Sequence, residues 1–238
     1  MAIYHLRATM ISRSAGRSAT AAAAYRSASH IEDHRTGLSF DYRARGGVDH
    51  VEILTPADAP GWAQDRAALW NAVEAAETRK NSQVAREIRV ALPAELDHAQ
   101  RVELVRDFCQ RQFVDRGMVA DIALHAPGRE GDDRNHHAHI LLTTREIAAE
   151  GFTTKNRDWN AVEGLEGRRE PWAQAANLGL ERAGHGERIG ARRREEREAI
   201  QQAAQGRELS SQTWLISVNE VLLGGMLVLT ILKLLQRY

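Results

Sequence analysis

Residues 135–142 read Asn135-His136-His137-Ala138-His139-Ile140-Leu141-Leu142, and the alternation within them decides the fold. On an extended strand successive side chains point to opposite faces, so His137 and His139 share one face and Ala138 and Ile140 the other. The preceding apolar run, Val119-Ala120-Asp121-Ile122-Ala123-Leu124, ends in His125 and is expected to lie beside this strand after an antiparallel return. Three imidazoles then meet at one place. Three His ligands hold a divalent ion and leave coordination positions open for a substrate oxygen. On the His-x-His pair alone, a structural zinc site or a solvated histidine turn is the plainer reading, and the remaining strands must decide.

The same parity extends along the chain. With Ile88, Val90 and Leu92 on the core side, Glu87 and Arg89 face away, and with Ile122 and Leu124 on the core side, so do Asp121 and His125. Likewise His5 and Arg7 oppose Tyr4 and Leu6, while His137, His139, Thr143 and Arg145 oppose Ile140 and Leu142. One sheet face is therefore apolar. The other gathers histidines, carboxylates and arginines, the make-up of a metal site that meets a phosphate. A solvated face of any antiparallel sheet collects polar residues too, but three histidines with a carboxylate among them fit that account less well.

Strands alternate with helices throughout. Residues 2–11 alternate as a strand, and the Ala-rich stretch Ser18 to Ser29 favours helix. Short strands are expected near 38–43 and 48–54, and Trp62, Arg66, Leu69, Trp70, Val73 and Ala76 stand at helical spacing within Pro60 to Lys80. A strand at 83–92, a helix from Asp97 to Arg116 stopped by Gly117, and strands near 119–126 and 137–146 follow. A helix from Pro171 ends before Gly184.

The 238 residues, 43% of them apolar, suffice for one sizeable core. Lys+Arg and Asp+Glu are equal at 32, so net charge does not argue for nucleic acid. Its distribution does: before Glu32 the formal charges are Arg7, Arg13, Arg17 and Arg26, a basic opening segment. A single cysteine, Cys109, excludes an internal disulfide and suits a reducing cytoplasm. The N-terminus alternates like a strand and lacks the pattern of a signal peptide, so the expected location is cytoplasmic.

The opening Met1-Ala2-Ile3-Tyr4-His5-Leu6, the stretch Ile11 to Thr20 running into Ala24-Tyr25-Arg26, the segment Arg86 to Pro93 and the Asn-x-His-x-His strand resemble the MobA/MobL plasmid mobilisation relaxases. That family lies within the HUH endonucleases, named for two histidines around one apolar residue. The resemblance covers roughly residues 1–189, to which the relaxase domain is assigned. It implies an α+β fold, with about five antiparallel strands and helices packed on one face. It also implies nicking of one DNA strand at a transfer origin, with a divalent cofactor, Mg²⁺ or Mn²⁺. By its place in the family motif Tyr25 is the nucleophile, and a 5′-phosphotyrosyl link would later be reversed to rejoin the strand. His125, His137 and His139 are the metal ligands, Glu87 a general base or the group that orients a ligating His, and Arg7, Arg13, Arg17 and Arg26 the DNA contacts. Expected partners are single-stranded origin DNA, accessory mobilisation proteins and a coupling protein. Tyr25 precedes the histidine motif, the order of relaxases; in related replication initiators the motif comes first.

A second reading is a truncated, non-nicking, metal-dependent DNA-binding repressor of the mobilisation operon. After Ile189 the family continues into a His-Arg-containing segment, whereas this chain reads Gly190-Ala191-Arg192-Arg193-Arg194-Glu195-Glu196-Arg197. Residues 190–213 are expected to form a charged helical linker. Residues 214–238 form an apolar C-terminal helix, uncharged from Val221 to Leu232 and closed by Lys233 and Arg237. A spanning helix needs about 20 apolar residues, and reaching back to Trp214 includes Asn219 and Glu220, which are costly within a bilayer. Two readings stand: a single-pass attachment to the inner membrane, with Arg192 to Arg194 on the cytoplasmic side, or a helix packed on a partner or on the domain. If the tail is an anchor, cell fractionation should recover the full chain with membranes and a version ending at Ser211 in the soluble fraction; equal solubility of the two contradicts the anchor.

Overall fold

Three of the described helices begin at a side-chain cap in the computed structural model, which describes residues 5–128, 134–156 and 167–190. Strand β1 (Leu6–Ser12) leads to helix α1 (Ala19–Ser27), started by the Ser18 hydroxyl accepting from the Ala21 N–H at 3.1 Å. A hairpin, β2 (His30–Asp33) and β3 (Leu38–Asp41), precedes β4 (Val48–Leu54) and α2 (Arg66–Ala76). Then come β5 (Gln83–Ala91) and α3 (His98–Gln112), the helix opened by a reciprocal Asp97 and Gln100 capping box. β6 (Ala120–His125), β7 (His137–Thr143), a second hairpin of β8 (Arg145–Ala148) and β9 (Gly151–Lys155), and α4 (Arg169–Arg182) complete the described chain.

The main sheet is antiparallel, with strand order β1-β5-β7-β6-β4. Ile88, Ile140 and Ile122 stand directly opposite one another across β5, β7 and β6. They form the middle of one core, completed by α3 and α4 through Phe108 and Trp172, whose rings meet at 5.0 Å. Beyond α4, Ile189 is buried, and the Asn177 side chain bonds both its N–H and its carbonyl.

The α+β class and the five-stranded antiparallel sheet are as expected, but helices cover both faces rather than one. Ile11, Ala85 and Leu141, on the histidine-bearing face, pack with Ala23 of α1 and with Leu69 and Trp70 of α2 into a second core. The reason lies along the strands. That face is apolar at the end where Ile11 pairs with Ala85, and polar at the end that carries the histidines. The helices bury the first end fully and the second only in part, where His137 and His139 remain half-buried.

Other differences are local. The helix expected over 60–80 is broken because Asp65 caps a new start, its carboxylate accepting from the Ala68 N–H at 2.8 Å. Trp62 sits in the preceding 3₁₀ turn and stacks edge-on against Phe152 instead of joining the helix. β2 was not expected, being four residues with two carboxylates, and it pairs with β3 outside the main sheet. The helix expected to Arg116 ends at Gln112, and a 3₁₀ turn, Val114–Arg116, carries the chain to Gly117, whose positive φ of 87° closes it. The strand expected over 137–146 stops at Thr143 and turns into β8. The linker and tail expected over 190–213 and 214–238 lie, from residue 191 onward, outside the described residues. No described helix is long and apolar enough to cross a membrane.

Ile140, with no exposed surface, anchors the central row. Ile140→Ala should cost about 2–5 kcal/mol in urea unfolding; a loss no larger than at an exposed position would mean that the row is not the centre of the core.

Candidate metal centre and groove

His125 stands directly opposite His137 across the β6–β7 ladder, and His139 follows two residues on along the same face. Ring centroids are 4.8–5.3 Å apart, and the three rings offer ligand atoms within 4.8 Å of one another. In each ring one nitrogen is already engaged. His125 donates Nε2–H to the Arg26 carbonyl at 2.8 Å, His137 donates Nδ1–H to the Asn135 carbonyl at 3.0 Å, and His139 donates Nδ1–H to Glu87 Oε1 at 2.7 Å. Those bonds fix the tautomers, leaving Nδ1 of His125 and Nε2 of His137 and His139 as the free lone pairs. Metal-ligating histidines are held by such outer partners, and the donor set fits a divalent ion.

Glu87 does more than meet His139. Its Oε1 accepts from Arg26 Nε at 2.6 Å, and its Oε2 from Arg26 Nη2 at 2.5 Å and Thr9 Oγ1 at 3.3 Å. Burial works to raise the carboxyl's pKa, but the bonds from His139 and Arg26 outweigh it and hold the group ionised far below the usual carboxylate range. Burial, helped by the nearby His139, His137 and Arg45 charges, pushes His125 down to about 4 against the opposing pull of the Arg26 carbonyl. His137 is lowered as well, chiefly by burial. Imidazoles held neutral are the form a metal requires.

Tyr25 lies on α1 one residue before Arg26, so the helix that carries it is fixed to the histidines by its neighbour's carbonyl and guanidinium together. α1 lies close against its neighbours because it turns Ala19, Ala22, Ala23 and Ala24 inward, while Tyr25 remains 45% exposed. The ring of Tyr42 meets the Tyr25 ring edge-on at 5.2 Å, and the Arg45 guanidinium lies over it at 4.0 Å. Arg45 also donates to the Tyr25 carbonyl at 2.7 Å. Tyr25, Glu87 and His139 line one groove of about 1070 Å³.

The four arginines selected from sequence separate here. All four line the groove, but only Arg7 and Arg17 are exposed and without an ion pair among the described residues. Arg26 is held by Glu87, and the half-buried Arg13 is held by Glu74, which it meets at 2.6 Å while also donating to the Glu74, Glu77 and Arg79 carbonyls. Sequence reasoning had left Arg89 and Arg45 out of the site. Arg89 was recoverable, since it shares the parity of Glu87 and pairs with both Arg7 and His139; Arg45, in a loop, carries no such signal.

The fold is shared with the conjugative relaxase TrwC, solved metal-bound with oriT DNA, at a TM-score of 0.52 and 12% identity over 78% of this chain and 73% of that one. The MobA/MobL family description matches residues 17–211, and the chain belongs to that family. The mobilization protein MobL of Acidithiobacillus ferridurans is 42% identical over 221 residues, 79% of this chain and 57% of that protein. The chain thus spans little more than half of that relative's length. A structure solved in work on the molecular basis of vancomycin resistance transfer in Staphylococcus aureus is 37% identical, with a TM-score of 0.73, covering 81% of this chain and all of that one.

Because His125 resists protonation in the fold, acid should favour the unfolded chain, which takes up a proton that the native site refuses. Its contribution to stability is whole above 6.5 and lost as pH falls towards about 4. Thermal melts of metal-free protein should therefore decline across that window, and less steeply for His125→Gln; equal slopes would refute the assignment.

Proposed function

We propose that the chain nicks one strand of DNA at a plasmid transfer origin and rejoins it after transfer, the relaxase step of conjugative mobilisation. The observation that carries this reading is the coupling of Tyr25 to two of the three histidines, His125 directly and His139 by way of Glu87, through a single neighbour, Arg26. Membership of the MobA/MobL family supports it.

In this reading the Tyr25 oxygen attacks phosphorus, and the phosphorus–O3′ bond breaks. The phenol proton passes to solvent, and the departing 3′ oxygen takes up a proton to become a free hydroxyl. The 5′ end stays on Tyr25 as a phosphodiester of similar energy to the bond lost, so the 3′-OH can attack it and restore the strand. A divalent ion, Mg²⁺ or Mn²⁺, held by His125, His137 and His139, would supply Lewis-acid stabilisation at the non-bridging oxygens. Arg7, Arg17 and Arg89 bind the phosphates, and Arg45 holds the Tyr25 ring in place. Glu87 serves as the orienting group rather than the base, since both its oxygens are taken by Arg26, His139 and Thr9. Arg13 supports the start of α1 through Glu74, whose Oε1 also accepts from the Ala19 N–H at 2.7 Å.

The activity is assigned to the cytoplasm, with accessory mobilisation proteins and a coupling protein as partners. Residues 214–238 are the segment that would reach the inner membrane.

Incubated with Mg²⁺ or Mn²⁺ and an oligonucleotide containing its origin, the protein should give a denaturant-resistant adduct at the 5′ end of the cut strand. Tyr25→Phe should abolish the adduct and leave DNA affinity nearly intact. Glu87→Gln should slow adduct formation by at most about 10²- to 10⁴-fold, the range of an assisting group, and should also weaken metal binding in a calorimetric titration. Tight origin binding without adduct under any divalent metal would replace nicking with the repressor reading.

A further inference from the structure

The hairpin β2–β3 has two unlike faces. His30, Glu32, Ser39 and Asp41 take one, and Ile31, Asp33, Leu38 and Phe40 the other, as the direct pairs Ile31↔Phe40 and Asp33↔Leu38 require. Ile31 and Asp33 are buried, so this second face is turned inward. Yet Leu38 on the same face is 55% exposed, because what it meets is the groove. Phe40 and, two residues further on, Tyr42 line that groove as well. Exposed Leu38 and the half-buried Phe40 and Tyr42, which also pack on the second core, thus give the open groove an apolar stripe of a kind that usually marks a binding surface.

The rest of the groove says what that occupant is. Arg7 and Arg89 lie side by side on β1 and β5, and Arg17 stands before α1, all exposed and without an ion pair among the described residues. The carboxylates of the groove, Asp33 and Glu87, are both spent on internal partners: Asp33 accepts from Thr20 and from the Thr36 N–H, Glu87 from Arg26 and His139. The available charge of the groove is therefore positive, at Arg7 and Arg89 on the sheet and Arg17 before α1, and the hairpin supplies the apolar and aromatic part of the lining. A single nucleic-acid strand has matching halves, an anionic backbone and flat apolar bases, whereas a duplex hides its base faces in stacking.

We propose that the β2–β3 hairpin is the base-binding wall of the groove, with unpaired bases of a DNA single strand resting on Leu38, Phe40 and Tyr42 while their phosphates face Arg7, Arg17 and Arg89. This rests on the groove being the DNA site and adds how the strand is turned within it. It makes the hairpin the part that distinguishes single from double strand and base from base, leaving the chemistry to the sheet and α1.

The test compares three fluorescein-labelled probes of about 16 nucleotides, the upper site size of one single-strand-binding face: a mixed-sequence single strand, its duplex, and a single strand of the same length made abasic. By fluorescence anisotropy the wild type should prefer the base-bearing single strand to both others. Phe40→Ala should weaken that probe roughly 5- to 100-fold, the range of one stacked base, and leave the abasic probe unchanged, while Phe40→Trp should restore it. Because Phe40 also touches the second core, Leu38→Ala, at an exposed position, provides a variant whose folding is not in question, with a smaller loss of the same selectivity. Arg89→Gln should weaken the abasic and base-bearing probes alike. Equal affinity of wild type for abasic and base-bearing strands, or losses in Leu38→Ala and Phe40→Ala that are the same on both, would overturn the proposal. Persistence of the Tyr25 adduct in those variants would then leave the nicking reading standing, and absence of any adduct in wild type would remove that reading alone.

Discussion

The carboxylate of Glu87 is the constraint on which the site is built. A buried charge is tolerated only when opposite charge and hydrogen bonds replace the water it has lost. Here the replacements come from three elements: Arg26 of α1, His139 of β7 and Thr9 of β1, all converging on β5. Displacing any of them leaves a desolvated anion poorly paired. The penalty for that is what holds the tyrosine-bearing helix in one position against the histidine-bearing strand. Such a cluster is weak evidence of added stability, since an apolar core of equal volume would often do as well. Its value is geometric, because it admits one arrangement of α1 over the sheet.

The three imidazoles are prepared by the same logic. Each has one nitrogen committed to an acceptor that the fold holds still, namely the Arg26 carbonyl, the Asn135 carbonyl or Glu87. The remaining nitrogens are left as lone pairs close together. Burial lowers the proton affinity of His125 and His137, so protons compete poorly for the same lone pairs. Two of the three orienting acceptors trace back to Arg26, one through its carbonyl directly and one through its hold on Glu87. Histidine cluster and tyrosine helix are in this sense a single unit.

Much of this unit could be read from sequence because strand parity has period 2 and does not depend on tertiary context. His125, His137, His139 and Glu87 fell on one face by counting alone. Ser18 and the alanines after it marked α1. What parity could not give was the change in character along a face: Leu141 and His139 share a side but not an environment, since one lies under the helices and the other in the groove. Asp65 could not be read as a break, because apolar spacing continues across it from Trp62 to Leu69. Arg7 and Arg13 are the same residue type in the same basic segment, and only the fold shows that Glu74 claims one and not the other. The role expected of Tyr25 came from resemblance alone, as an Ala-rich helix with one tyrosine has no chemical signature of its own.

The alanines of α1 have a consequence for how the groove divides its work. Small side chains at Ala22, Ala23 and Ala24 let the helix approach its neighbours closely enough for the Arg26 main chain to reach His125, a contact that longer residues would hold apart. α1 is also short. It ends at Ala28, whose left-handed φ of 51° turns the chain at once into β2. The hairpin therefore begins where the helix stops, and Thr20 on α1 binds Asp33 at its far end at 2.6 Å. The groove wall is thereby indexed to the same helix that carries Tyr25, while Leu38 and Phe40 on its inner edge contact neither Glu87 nor the histidines through any hydrogen bond or ring contact among the described residues. Substitution on that edge can alter the lining of the groove without disturbing the buried carboxylate that sets the position of α1 over the sheet. Substitution at Arg26 or Glu87 cannot.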